Sequence, residues 1–174
     1  MKMEIVDCLS EMVKKNFGED KWREIYEGVG LNHNRTKYIN GMDIFDKKVF
    51  EIIHKTCEVL EINMAQAADA FGDYWINVYA VRYYKRYYEK YKTAKEFLLN
   101  MDKVHVDVTK IVENAHPPRF KTKIISENKI QVKYISKRKM IVFYIGLVKG
   151  IAKYFHEKIN IQQLSEEDVI IEFL

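Results

Sequence analysis

A change of period divides this 174-residue chain and limits what it can fold into. Up to Pro117-Pro118, apolar residues recur every three or four positions; beyond them, residues 120–126 and 129–135 alternate apolar and polar side chains. The first pattern is that of amphipathic helices and the second that of half-buried strands. The Glu127-Asn128 pair between the alternating runs reads as a hairpin turn. A further helix is expected over about 139–157, on Met140, Phe143, Leu147, Ile151 and Tyr154, with Gly146 and Gly150 allowing close approach of a neighbour. Two more short strands are expected after it, over 159–164 and 169–173. The expected fold class is α+β, a mainly helical N-terminal part followed by a small antiparallel sheet with one packed helix.

Before the prolines, Ile5, Cys8, Leu9, Met12, Val13 and Phe17 mark a first helix ended by Gly18, and Trp22, Ile25, Tyr26 and Val29 a second, closed by Gly30. His33 falls in the polar connection after Gly30. A third helix is expected over 46–60, with His54 at its edge, and Asn63 with Gln66 opens a fourth that Gly72 is expected to interrupt. Residues 74–91 are crowded with tyrosine and with Arg82, Lys85, Arg86 and Lys90, which resembles a single-stranded nucleic-acid platform. Stacking rings must be exposed for that purpose, whereas Trp75, Val78, Tyr79 and Tyr83 recur at helical spacing and are expected to face a core. No nucleic-acid partner is expected.

One domain, 1–174, fits this length, with 48% hydrophobic and 31% charged residues describing a globular protein. Subdomains are expected at about 1–92 and 93–174. The net charge of +4 reads as spread along the chain and demands neither nucleic acid nor acidic lipid. Cys8 and Cys57 sit among apolar residues as reduced core thiols. The longest apolar run, 140–148, is well short of the roughly 20 residues of a membrane span, and no signal peptide opens the chain, so a cytoplasmic location without membrane insertion is expected.

Residues 93–112 read as one amphipathic helix, begun by the Thr93 and Glu96 capping pair and stopped before Pro117. Phe97, Leu98, Met101, Val104, Val108 and Val112 form its apolar arc, and His105 lies inside that arc. An imidazole so placed is either a neutral core histidine bonded to a carbonyl or the axial ligand of a large apolar cofactor such as heme. Tyr134, Ser136 and Arg138 occupy alternate positions at a strand end, so two hydroxyls and a guanidinium are expected on one face. They are either a solvated strand end or a grip for carboxylates, of which heme carries two.

With His105 in Met-Asp-Lys-Val-His, then Pro117-Pro118, then Tyr134-Ile135-Ser136-Lys137-Arg138, the sequence resembles the heme nitric oxide/oxygen binding (H-NOX) family, related to the heme domain of soluble guanylate cyclase. The resemblance runs over essentially the whole chain and implies heme b (iron protoporphyrin IX) buried between the two parts, in a gas sensor and not an enzyme. It implies His105 as proximal ligand, Tyr134, Ser136 and Arg138 on the propionates, Pro118 pressing on the porphyrin, Met101 on the proximal face and Ile5 on the distal side. It also implies binding of nitric oxide and carbon monoxide, with weakening of the iron–histidine bond and heme relaxation as the signal. The implied partner is a histidine kinase, a cyclic-di-GMP enzyme or a chemoreceptor.

In the oxygen-binding branch a distal tyrosine stands five positions after the clamp arginine; here that position is Phe143. Tyr144, rotated by about 100°, should point elsewhere. Leu9 adds to an apolar distal side, while Trp75 or Tyr83 remain as hydrogen-bond donors for an alternative, oxygen-binding sensor. A helical RNA-binding module is the remote alternative. A peroxidase is disfavoured because His54 and His156 have no acid–base partner nearby in sequence.

Overall fold

A computed structural model describes residues 3–31, 44–110 and 115–174. His33 and Val112 lie outside the described residues. By backbone contacts the chain forms two compact units, Met1–Ala67 and Ala68–Leu174.

In the first unit, α1 (Glu4–Phe17) packs on α2 (Glu19–Gly28), and α2 on α3 (Asp46–Val59). Gly18, at φ 95°, ends α1 and its N–H closes on the Lys14 carbonyl, a conformation open to glycine without strain. The buried faces are those the 3.6 period marks: Val6, Cys8, Leu9, Met12 and Val13 on α1, Trp22, Ile25 and Tyr26 on α2, and Val49, Ile52 and Ile53 on α3. Thr56, buried among them, bonds the Ile52 carbonyl at 2.8 Å, so no polar group is stranded there. Helix α4 (Met64–Tyr74) starts with a reciprocal capping box, Asn63 N–H to Gln66 Oε1 at 2.8 Å and Gln66 N–H to Asn63 Oδ1 at 2.9 Å.

The second unit takes up α4 from Ala68. Gly72 does not interrupt it: the helix continues to Tyr74 and into a π-helical turn, Trp75–Tyr79, followed by α5 (Ala80–Tyr88). Gly72 is required for packing, since a Cβ there would strike the backbone of Gly146 on α8 (Ile141–Tyr154). The π-turn corrects the expected core face of 74–91. One extra residue in the turn rotates everything after it by about 100°. Of the residues expected to face the core, Tyr79 is buried and Trp75 and Val78 are half-buried, while Tyr83 is 58% exposed; Ala80, Tyr87 and Tyr88 are the buried residues of α5.

Instead of one helix over 93–112, there are α6 (Ala94–Leu99) and α7 (Met101–Thr109), parted at Asn100. The Asn100 side chain donates to the Glu96 carbonyl at 2.9 Å, and its N–H turns back to Phe97 at 3.1 Å. A side-chain amide that takes a helix carbonyl in this way ends the regular ladder. After the prolines come β1 (Arg119–Ser126), β2 (Lys129–Ile135), α8, β3 (Ile159–Gln163) and β4 (Asp168–Phe173). Among the described residues the strands form one four-stranded sheet in the order β1-β2-β4-β3, antiparallel throughout. Its inner face, Phe120, Ile130, Val132, Tyr134, Val169 and Ile171, shares a core with α6, α7 and α8. No described helix is long and apolar enough to cross a membrane.

Candidate functional site

Helix α7 carries His105 half-buried, one turn after Met101. Its Nδ1 lies 3.0 Å from the Met101 carbonyl oxygen. A carbonyl only accepts, so Nδ1 holds the proton and Nε2 keeps its lone pair. Burial lowers the His105 pKa below the usual imidazole range, against the Met101 bond and the Asp102 charge, which raise it. The product is a neutral imidazole of fixed tautomer, the form a metal ion needs. Phe120 packs against it with ring centroids 5.0 Å apart. Among the described residues no three His, Cys, Asp or Glu side chains converge on a metal position.

Two residues that periodicity does not single out hold α7 to the sheet. Asp102 accepts from Arg119 Nε at 2.7 Å and from an Arg119 terminal nitrogen at 2.6 Å, and it also accepts the Phe120 N–H at 2.9 Å. The Arg119 bonds hold the Asp102 carboxyl down at about 2. Sequence spacing gave no sign of this, because an acid in the first turn of a helix is ordinary. Pro118, half-buried, sits in the segment immediately before Arg119.

Tyr134, Ser136 and Arg138 are brought together, though by a different route from strand alternation. Strand β2 stops at Ile135, and a tight turn comes next in which Ser136 Oγ accepts the Arg138 N–H at 3.2 Å. Burial raises the Tyr134 pKa, while hydrogen bonds to Ser136 and to the Met140 backbone, together with the Arg138 charge, pull it down. The Arg138 guanidinium donates to the His116 carbonyl at 2.9 Å, reaching back to the segment before the prolines. A buried hydroxyl, a second hydroxyl and a guanidinium in one cluster fit carboxylates.

Phe143, half-buried, meets Phe71 edge-on at 5.8 Å, and Trp75 stacks on the same Phe71 at 5.7 Å. Tyr144 points the other way, as its rotation requires: it is buried and stacked on Tyr134 at 5.5 Å. Tyr83 has Tyr79 and Tyr84 as its ring neighbours and is not brought to Phe143. Ile5, half-buried, and Leu9, buried, lie on α1 in the first unit.

Helices followed by a four-stranded sheet define a small α+β domain, which carries a neutral imidazole on α7 and a hydroxyl–guanidinium cluster after β2. The chain belongs to the haem-NO-binding family, whose sequence profile matches residues 4–163. It is similar to a solved Cs H-NOX variant carrying 4-cyano-L-phenylalanine, at 28% identity over 99% of this chain and 96% of that one, with a TM-score of 0.89. An oxygen-binding H-NOX domain related to soluble guanylate cyclases, solved as its oxygen complex, is also 28% identical, over 99% and 95% of the two chains, with a TM-score of 0.83. The H-NOX protein from S. oneidensis shares the fold, with a TM-score of 0.90 over 100% and 96% of the chains at 22% identity. No curated protein matches the sequence. The family binds heme, and H-NOX domains are gas sensors rather than catalysts.

Proposed function

We propose that the chain is a nitric oxide sensor that holds heme through Nε2 of His105 and reports the state of that bond to a partner protein. The observation that supports this most directly is the committed imidazole, with Nδ1–H on the Met101 carbonyl and Nε2 left as the only nitrogen able to ligate. Heme, held by His105, would supply a ferrous iron able to take up nitric oxide or carbon monoxide.

The chain's own residues do the rest. Tyr134, Ser136 and Arg138 grip the propionates, each charged hydrogen bond contributing roughly 1.5 to 3 kcal/mol. Met101 and Pro118 would contact the heme, and Phe143 and Trp75, which share Phe71, would border the bound gas. The contributions of Ile5 and Leu9 rest on the family resemblance alone, as does Tyr83 as a donor. Any movement of α7 at His105 would be felt at the sheet, because Asp102 ties the first turn of α7 to Arg119 and Phe120 at the start of β1. Displacement of the ligand helix is thereby passed to the sheet. By resemblance the reader of that movement is a histidine kinase, a cyclic-di-GMP enzyme or a chemoreceptor in the cytoplasm.

Replacement His105→Gly tests the assignment. The variant should be purified without heme, or with heme only when imidazole fills the vacated position. Normal heme loading with an unchanged five-coordinate ferrous spectrum in the absence of imidazole would refute it.

A further inference from the structure

Strand β1 is an edge of the sheet, paired with β2 on one side and, among the described residues, with no strand on the other. Two hydrogen bonds reveal which of its backbone groups face outward. Tyr134, opposite Phe120 in register, sends its N–H to the Glu167 carbonyl at 2.6 Å, on the β4 side. Phe120 sends its own N–H to Asp102 at 2.9 Å. Neither amide is used between β1 and β2, so this is a non-hydrogen-bonded pair. The alternation of an antiparallel ladder makes Thr122 with Val132, and Ile124 with Ile130, pairs of the same kind. The N–H and C=O groups of Thr122 and Ile124 therefore point away from the sheet, and they have no partner among the described residues.

The side chains around these groups share a character. Ile124 is 57% and Ile125 46% exposed. Lys121 and Lys123 are exposed and have no carboxylate partner among the described residues. Lys121 stands directly across from Lys133, a like-charge pair that costs stability. Lys133 is relieved by Glu167 at 3.2 Å, whereas Lys121 is not. The net charge of the chain is thus not evenly spread at the surface: this edge keeps unneutralised cations beside open backbone groups and bare isoleucines.

We propose that β1 is a docking edge, to which an extended segment of a partner protein with alternating acidic and apolar residues adds as a fifth strand. Main-chain bonds to Thr122 and Ile124 supply the affinity, and carboxylates facing Lys121 and Lys123 select the partner. The same lysines oppose a second copy of this chain, because pairing β1 with β1 would set cations against cations. The proposal supplies an output surface for the sensor reading: Asp102, one turn before His105, is bonded to the first residues of this strand. It does not need the gas to bind, so the two can fail separately.

The test uses the heme-loaded chain and a fluorescein-labelled peptide of about ten residues alternating glutamate and valine, with the absorption spectrum recorded on every sample. The peptide should bind saturably and slow amide exchange at Thr122 and Ile124. A Lys121→Glu/Lys123→Glu variant should lose at least about tenfold in affinity. Thr122→Pro should weaken binding to a similar extent while the heme bands stay unchanged, since its N–H faces outward and contributes nothing to the β1–β2 ladder. Lack of saturable binding at millimolar peptide overturns the proposal. So does equal binding by the proline variant, by both charge-reversed positions, or of a lysine-containing peptide. Dimerisation of the chain through β1 overturns it as well.

Discussion

Phe143 places a ring without a hydrogen-bonding group five positions beyond Arg138, against Phe71, on which Trp75 also stacks. Bound dioxygen carries partial negative charge and gains from a donor, whereas nitric oxide and carbon monoxide hold ferrous heme without one. Phe143→Tyr should therefore raise oxygen affinity about tenfold, taking about 1 to 1.5 kcal/mol for one net hydrogen bond, as read by equilibrium titration. If the affinity stays the same, the phenol does not reach the gas. Tyr144, its neighbour, has the one buried side-chain polar atom without a hydrogen-bond partner among the described residues. Tyr144→Phe removes that stranded hydroxyl and should stabilise the protein by about 1 kcal/mol in urea unfolding. Destabilisation instead would mean that the hydroxyl has a partner. Arg138→Ala should speed heme loss to apomyoglobin more than Ser136→Ala does, because a charged contact exceeds a neutral hydroxyl bond; equal rates would contradict this. These residues were legible as a Tyr-x-Ser-x-Arg string, but the reason they converge was not. A Ser136 side chain closing a turn on the Arg138 amide leaves no periodic trace in sequence.

Among the elements, the link between α7 and β1 is the part of the site that sequence concealed. The Asp102 carboxyl titrates at about 2 when folded against 3.8 ordinarily, so its contribution is complete above about pH 4 and is lost as pH falls from there towards 2. Asp102→Asn should flatten that limb of the stability–pH curve and should also reduce protection of the Phe120 amide against exchange. An unaltered limb would show that the pair does not hold the helix. Where α8 crosses α4, a Cβ on Gly146 would meet the Ala68 carbonyl, so Gly146→Ala should cost about 2 to 3 kcal/mol. The hairpin was legible almost residue by residue, since strands of period two around a two-residue turn leave few other solutions. The π-turn at Trp75–Tyr79 was not: a single inserted residue changes no composition and shifts only the phase of the helix beyond it.

For the molecule as a whole, the fold and the heme-binding family rest on the matched residues 4–163, while the choice of gas rests on a few side chains. The matching family is described as haem-NO-binding, and a structural neighbour at 28% identity is an oxygen-binding H-NOX domain, so family membership alone does not name the gas. In this chain Phe143 argues for nitric oxide, and Trp75, sharing Phe71 with it, is the residue best placed to argue otherwise. The absorption spectrum of the ferrous protein, taken in turn under argon, air, carbon monoxide and nitric oxide, tests this most directly. A five-coordinate spectrum under argon that is unchanged on admitting air, and that shifts with carbon monoxide and with nitric oxide, is the predicted result. A stable oxygen complex in air would contradict it, and the same spectrum of a Trp75→Phe variant would then tell whether the indole is the donor.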